Sequence, residues 1–343
     1  MDRRTFMGSV AIAAALLSVL SLATIACAWA QQAAKLPKVA ILSQRAPPTE
    51  ACAANMQGSS LPCFLDAMAE LGYVDGKNVS FEFRFAEDDY KKLPALAAEL
   101  VRLRPDVILT AGPGATAAAN ATTTIPIIVG PASEETLTRL AGNLAHPTRN
   151  VTGFALNSVE QELKCLQLLR ELAPRASRVA LLLNPDNIGY GDNAGRLASA
   201  ATQLGLTLIR IEARNLSELP QAFAAIMASG ANAIFIADDA ALAGTDPVRK
   251  QVSEWALKQR LSVVSSNARV ASDGGLLSFG TDLNALQRRA AGYVDKILKG
   301  AKPVDLPVER PSTFKLSVNV KTAKALGLTI PQSLLVRADE VIQ

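Results

Sequence analysis

Two places in the sequence carry residue types that could hold a small charged molecule. Gly112-Pro113-Gly114-Ala115-Thr116 follows a β-type run and opens a helical pattern, so the amides of Gly114, Ala115 and Thr116 can point at an anion. Asp238 ends an apolar run, and its carboxylate could pair with an ammonium group, because a buried charge is costly unless it is matched. These residues predict recognition of a carboxylate and of an ammonium group.

Each candidate also has a structural interpretation that the sequence leaves open. Thr116 can cap its own helix, and Asp239 can begin the Ala-rich stretch that follows it. Tyr190 could form the wall of an apolar pocket, whereas Phe279 is expected to pack in the core.

A dinucleotide site is a further interpretation of the glycine-rich stretch. Residues 112–117 match the loose pattern G-x-G-x-x-A. The pattern follows the third strand candidate instead of the first, however, and no acidic residue ends the next candidate at 125–129. We therefore expect no nucleotide cofactor.

The composition argues against most catalytic classes. His146 is the one histidine and precedes Pro147 in a polar linker, no G-x-S-x-G occurs, and clusters of His and Cys are absent. The 5% of aromatic residues leave few for a sugar-binding cleft, and a net charge of +4 spread along the chain does not favour a nucleic-acid partner. We expect neither an enzyme nor a metal site.

Alternation of strand and helix patterns places these candidates. Helical apolar spacing separates the strand candidates, which predicts an α/β fold of parallel sheets with helices on both faces. The strand candidates are residues 38–43, 79–85, 107–110, 125–129, 178–183, 207–211, 233–237, 261–264 and 276–279.

The alternation starts twice, at Lys38 and at Arg178, which indicates two similar doubly wound lobes. We expect one lobe from 36–153 plus about 281–308, and the other from 154–280 plus about 309–343. Several crossings would make a hinge, and the cleft between the lobes is a natural ligand site. Ligands bind at the carboxyl ends of parallel strands, and the turns expected there contain Ser43, Gln44, Gly130, Pro131, Asn184 and Ser265.

Residues 1–30 read as an export signal. A charged start precedes the apolar run 10–26, and Ala28-Trp29-Ala30 has the small-x-small form of a cleavage site. Arg3-Arg4 is compatible with twin-arginine export, and the alternatives are a membrane anchor or lipidation of Cys27. We expect a periplasmic protein.

Export exposes cysteines to oxidising conditions. Cys52 and Cys63 lie in one loop-like stretch and are expected to form a disulfide; the alternative is two free thiols. Cys165 lies in a helical pattern and reads as a core residue.

Eight ordered blocks resemble the ABC-transporter substrate-binding family related to the tryptophan and tyrosine binding proteins. They are NVTG at 150–153, LRELAP at 169–174, RVA at 178–180 with Asn184-Pro185, GGLLS at 274–278, DKILKGAKP at 295–303, DLPVE at 305–309, KTAKALGL at 321–328 and LLVRADEVI at 334–342. The resemblance implies a type I periplasmic binding protein fold that holds an amino acid or similar small molecule between its lobes.

The resemblance also implies site residues and a partner. Carried over by position, the cleft residues are Ser43, Gln44, Gly114 to Thr116, Gly130, Pro131, Asn184, Asp238 and Ser265. Members often have Ser-Tyr-Gly at 278–280 and Asp-Pro at 130–131, where this chain has Phe279 and Gly130, so the ligand's identity does not transfer.

The expected function is delivery of a small solute to a membrane permease by a monomer. No G-x-x-x-x-G-K-[ST] occurs, consistent with ATP hydrolysis on another chain. The alternatives are an exported sensing module for a receptor and, third, an exported enzyme.

Overall fold

Parallel strands connected by helices form two separate sheets. The structure is a computed structural model that describes residues 36–47, 61–156 and 158–343. The proposed export signal with Cys27 lies outside the described residues, as does Cys52.

The first sheet has the strand order β2-β1-β3-β4-β5, with every neighbouring pair parallel. Its strands are β1 (Lys38–Ser43), β2 (Ser80–Phe85), β3 (Val107–Thr110), β4 (Ile127–Ser133) and β5 (Val151–Leu156). The helices along this part of the chain are α1 (Leu61–Glu70), α2 (Leu93–Arg102), α3 (Pro113–Ala121) and α4 (Glu134–Ala141).

The second sheet has the order β12-β11-β10-β9-β8-β6-β7, and only its β10–β11 pair is antiparallel. Its strands are β6 (Arg178–Leu183), β7 (Thr207–Glu212), β8 (Ala233–Ile236), β9 (Ser262–Ser265), β10 (Leu277–Thr281), β11 (Phe314–Asn319) and β12 (Glu340–Ile342). The remaining helices are α5 (Ser158–Leu172), α6 (Ile188–Thr202), α7 (Leu219–Ser229), α8 (Asp246–Lys258), α9 (Arg269–Ser272), α10 (Leu283–Leu298), α11 (Val320–Ala325) and α12 (Gln332–Arg337).

The chain passes between the sheets three times. It leaves the first sheet after β5, returns after β10 through α10, which packs on α1 and β4, and leaves again before β11. The last passage runs beside the first: Ala155 N donates to Glu309 O (2.8 Å) and Glu309 N donates to Gly153 O (2.9 Å).

Helices cover both faces of each sheet, and this explains the continuously apolar strands. Along β1, Val39 and Ile41 enter one buried cluster while Ala40 and Leu42 enter another. Along β6, residues alternate in the same way between two clusters on the second sheet. Each strand buries side chains on two faces, so its sequence does not alternate with polar residues.

The predicted α/β class with two parallel-sheet lobes is confirmed, with corrections at the level of strands. Three strands of the structure, β5, β11 and β12, have no counterpart among the strand candidates. β5 extends to Leu156, past the lobe boundary predicted at 153. The residue bounds of the two lobes stay our proposal.

The expected turn at Gly130-Pro131 is wrong. β4 continues to Ser133 and pairs with β5 on both sides of an irregularity between Val129 and Ala132. Pro131 has no amide hydrogen to donate, and a strand tolerates a proline where its pairing is interrupted.

Candidate functional site

A cleft of about 600 Å³ lies between the carboxyl ends of the strands of the two sheets. Parallel strands of one sheet end at the same edge, so the residues after β1, β3, β6, β8 and β9 meet there. Polar and charged residues that line the cleft include Ser43, Gln44, Arg45, Thr110, Thr116, Gln161, Glu162, Asp186, Asn187, Asp238, Asp239, Ser266, Asn267, Arg269 and Gln287.

Six of the residues predicted from the sequence line this cleft. They are Ser43, Gln44, Thr116, Pro131, Tyr190 and Asp238. The first four come from the first-sheet side, whereas Tyr190 lies in α6 and Asp238 follows β8. The structure therefore brings residues from both halves of the chain to one cavity.

Gly114 and Ala115 are buried in the first turn of α3 and do not line the cleft. Their amides are already used: Gly114 N donates to Ala111 O (3.0 Å) and Ala115 N donates to Gly112 O (3.1 Å). The helix begins at Pro113, earlier than the sequence pattern indicated, so these two amides are inside the turn. The expected carboxylate site on them is not supported by this geometry.

Gly130, Asn184 and Ser265 also lie behind the lining residues. A Cβ on Gly130 would meet Gln287 Nε2 at 2.7 Å, so the glycine leaves room for a cleft residue. Ser265 donates through its hydroxyl to Ile236 O (2.7 Å) and accepts from Asn267 N (3.0 Å). These residues position the cleft wall.

Asn184 supports a buried carboxylate. Its Nδ2 donates to Asp239 Oδ1 (3.4 Å), and Asn187 Nδ2 donates to Asp239 Oδ2 (2.7 Å). Tyr90 OH donates to Asp239 Oδ2 (3.1 Å), and Ala241 N donates to Oδ1 (2.9 Å). The sequence suggested Asp239 as a helix start. Its carboxylate instead accepts these four hydrogen bonds from within the protein.

Asp238 remains the more available of the two carboxylates. It is partly buried and accepts a hydrogen bond from Asn267 Nδ2 (2.9 Å). Burial raises its pKa, while that hydrogen bond and the charges of Arg269 and Arg45 lower it.

Two arginines that the sequence did not lead us to assign to the site add positive charge to the cleft. Arg45 follows β1 and Arg269 follows β9, so they come from opposite sheets. Burial, together with the neighbouring charges of Arg45 and Arg249, lowers the pKa of Arg269 to about 10. Arg45 directly follows the predicted Ser43-Gln44 turn, so its position after a strand was the signal available.

The Arg269 guanidinium has no hydrogen bond or ion pair within the described parts of the chain. Arg249, by contrast, is fully buried and saturated: it bonds Asp273 (2.6 Å), Ala243 O (2.7 Å) and Asp246. A guanidinium is charged at neutral pH, and in a partly buried place it requires an anionic or carbonyl partner. The cleft can therefore hold a carboxylate at Arg269.

Several oxygen atoms of cleft residues are buried and have no hydrogen-bond partner among the residues that the structure describes. They are Gln44 Oε1, Thr110 Oγ1, Glu162 Oε2 and Gln287 Oε1. Buried polar atoms are normally satisfied, but these four have almost no accessible surface in this structure.

Cys165 is a core residue, as its place in a helical pattern predicted. That side chain is fully buried, its Sγ donates to Ser265 O (3.3 Å), and burial raises the pKa of its thiol. Cys63 is disulfide-bonded. Because Cys52 lies outside the described residues, its pairing with Cys63 stays a prediction.

Among residues 36–47, 61–156 and 158–343, no group of three or more His, Cys, Asp or Glu could hold a metal ion. In the same ranges no helix has the length and apolarity that crossing a membrane requires.

Comparison with known proteins identifies relatives over most of the chain. The sequence model of the family described as ABC transporter substrate binding protein matches residues 56–342. A tyrosine-binding protein of Clostridioides difficile is 26% identical over 267 residues, which cover 77% of this chain and 75% of that protein.

Solved structures show the same architecture. An ABC domain in complex with L-Trp from Streptococcus pneumoniae is 26% identical, with a TM-score of 0.78 over 90% of this chain and 100% of that one. A leucine-binding protein of Thermotoga maritima is 14% identical and shares the fold alone, with a TM-score of 0.57 over 76% of this chain and 83% of that one. The fold is that of the type I periplasmic binding proteins. Because the family model spans most of its length, the chain belongs to the ABC transporter substrate-binding protein family.

Proposed function

We propose that the protein binds a small carboxylate, most specifically an amino acid, in the cleft and delivers it to the permease of an ABC import system. The observation that carries this proposal is the unpaired Arg269 guanidinium beside Arg45, with Asp238 close to both. An anion beside Arg269 would offset the repulsion that Arg269 experiences from Arg45 and Arg249. Asp238 would meet a positive group of the same solute.

The relatives support an amino acid with an aromatic side chain. One is named for tyrosine and another was solved with L-Trp. Tyr90 and Tyr190 line the cleft of this chain and offer ring surface to an apolar side chain. Phe279 and Gly130, the two departures from the family pattern, are not among the residues that line the cleft.

Family membership and the proposed export signal support a role in import. A periplasmic binding protein captures its solute outside the membrane and passes it to a permease, and ATP hydrolysis occurs on another chain. We expect a monomer without catalytic activity. The alternative, an exported sensing module, has the same cleft but a receptor as its partner.

A thermal-shift screen of the mature protein tests the binding proposal. The panel contains the twenty L-amino acids, aromatic acids and small carboxylates. A solute at 100 times its Kd stabilises the folded state by about 2.7 kcal/mol, which gives a clear increase in Tm. No stabilisation by any carboxylate would contradict the proposal.

Uptake measurements separate import from sensing. Cells that lack the gene should lose high-affinity uptake of the solute found in the screen, and a plasmid copy should restore it. Unchanged uptake together with a lost transcriptional response would favour the sensing module.

A further inference from the structure

Two neighbouring loops carry the cleft residues Asp238 and Arg269. The β8 loop (237–245) joins β8 to α8, and the β9 loop (266–276) joins β9 to β10 and contains α9. Arg269 is the first residue of α9, which has four residues. A helix that short has little stability of its own, so contacts with the rest of the protein must hold Arg269 in place.

The beginning of α9 is connected to Asp238 through Asn267. Asn267 Oδ1 accepts a hydrogen bond from Arg269 N (3.1 Å), and Asn267 Nδ2 donates to Asp238 Oδ1 (2.9 Å). This connection lies at the cleft surface and joins the two loops. A single point of attachment does not fix the direction of a helix, so a second one is needed at its far end.

The second sheet holds the backbone of α9 from behind. Ser278 Oγ of β10 donates to Ala268 O (2.9 Å), and Asn319 Nδ2 of β11 donates to Ala271 O (2.9 Å). These bonds hold α9 on β10 and β11. They make no contact with the β8 loop, so they do not fix α9 relative to Asp238.

Arg249 of α8 connects the far end of α9 to the β8 loop. It has no exposed surface, and its Nε donates to Asp273 Oδ2 (2.6 Å), directly after α9. Its Nη1 donates to Ala243 O of the β8 loop (2.7 Å), and its Nη2 donates to Asp246 at the start of α8. One planar guanidinium with donors in fixed directions thus joins three segments.

We propose that Arg249 is a positioning residue for solute binding, which holds α9 against the β8 loop so that Arg269 meets the solute carboxylate beside Asp238. Arg249 does not line the cleft, so it acts only through the residues that it holds. The inference rests on the proposed function, in which Arg269 binds the carboxylate. It assigns a residue outside the cleft to the discrimination between a carboxylate and a neutral group.

Calorimetry with paired probes tests this role. The probes are L-tryptophan, L-tyrosine and L-leucine, each with its primary carboxamide, which keeps the side chain and the ammonium group but lacks the carboxylate. Titrations at pH 6 keep the amine of every probe protonated. The ratio of the two Kd values reports the carboxylate contact, whereas a general loss of stability changes both Kd values alike.

The central variant is Arg249→Lys. It keeps the positive charge that lowers the pKa of both Arg269 and Asp238, but it removes the guanidinium fork. Lys250→Gln changes an exposed cation on the same helix and is the matched control. Asp273→Asn, which is nearly isosteric, removes the charge at the end of α9, and circular dichroism verifies that each variant is folded.

We expect the wild type and Lys250→Gln to prefer each bound amino acid to its carboxamide by at least about 10-fold. Arg249→Lys should reduce this preference to about threefold or less and leave the carboxamide Kd unchanged. In a chain that already carries Arg269→Gln, Arg249→Lys should have no further effect on the preference, because Arg249 acts through Arg269.

A wild-type preference in folded Arg249→Lys would overturn the inference and leave the carboxylate-binding function intact. Equal weakening of amino acid and carboxamide would also overturn it, because Arg249 would then contribute to stability alone. If Arg249→Lys does not fold, Asp273→Asn decides in the same way. A wild type that binds none of the six probes, or that has no preference, would contradict the proposed function together with the inference.

Discussion

Arg269 carries a positive charge at neutral pH in a partly buried place without an ion-pair partner among the described residues. If it holds the solute carboxylate, Arg269→Gln should weaken binding of an amino acid by about 10- to 100-fold, because hydrogen bonds to charged groups contribute about 1.5–3 kcal/mol. Arg175→Gln, which changes an exposed arginine, is the control. Calorimetry that gives the same Kd for both variants would place the carboxylate elsewhere.

Glu162 should also make stability depend on pH before any solute binds. Its pKa is raised to about 8 in the folded protein, above the ordinary value of 4.5 that applies when unfolded. Between these values the folded state holds the extra proton, so its contribution to stability is present below about pH 4.5 and is lost as the pH rises towards 8. The expected slope is about 1.4 kcal/mol per pH unit.

Urea denaturation at pH 5, 6, 7 and 8 checks this expectation. Glu162→Gln should gain stability relative to the wild type as the pH rises, because glutamine does not ionise. Glu160→Gln, which changes an exposed carboxylate on the same helix, should follow the wild type. Parallel curves for wild type and Glu162→Gln would contradict the raised pKa of Glu162.

For individual residues, the sequence predicted which ones lie at the ends of strands better than it predicted what each of them does. Asp238, Thr116 and Ser43 line the cleft because they lie at the carboxyl edge of the sheets, where Ser43 ends a strand, Asp238 follows one and Thr116 lies in the first turn of a helix. Glu162 lies within the apolar pattern of α5, and its complete burial and unpaired Oε2 distinguish it from a surface residue. Spacing alone does not report that atom.

The elements were predictable where apolar residues repeat and less so elsewhere. β1, β3 and β6 match their strand candidates because each is continuously apolar. β11 contains Lys315 and Ser317, and β12 has three residues, so neither has a strong pattern. β5 includes Gly153 at φ 143°, a conformation that the neighbouring residues do not predict.

β10 depends on a glycine at its approach to the cleft. A Cβ on Gly280 would overlap the backbone oxygen of Ser266, a cleft residue. Gly280→Ala should therefore cost about 1–3 kcal/mol of stability and weaken solute binding, because the Ser266 backbone must move. In contrast, Gly292→Ala within α10, where a Cβ meets no atom within 4 Å, should stabilise by about 0.5–1 kcal/mol.

Chemical denaturation and calorimetry on this pair of variants measure both effects. Equal stability of the two alanine variants would show that the loop at Ser266 adjusts without cost, and the close packing of β10 would then not position the cleft.

Across the whole molecule, contacts between the lobes favour closure. Tyr90, beside the first sheet, donates to Asp239 and accepts from Ala241 N (3.3 Å), both beyond β8 of the second sheet. At the rim, Arg196 of α6 lies 4.0 Å from Glu135 of α4. Such bonds exist only when the lobes are near each other, so they bias the equilibrium towards the closed form.

Tyr90→Phe should therefore weaken solute binding by about 2- to 10-fold and enlarge the radius of gyration of the solute-free protein. Tyr73→Phe is the matched control, because Tyr73 OH donates to Asp295 Oδ1 (2.9 Å) on α10, which packs on the first lobe. Small-angle scattering that shows no difference between the two variants would argue against a Tyr90 contribution to closure.

Reversible binding of an amino acid in the cleft is tested most directly by titration calorimetry of the mature protein with the amino acid selected by the thermal-shift screen. Recovery of that compound and mass spectrometry then follow. We expect one site per chain, competition by a second amino acid that also stabilises the protein, and a recovered compound that is chemically unchanged. A chemically converted compound, or full affinity in a variant that combines Arg269→Gln with Asp238→Asn, would contradict reversible binding in the cleft.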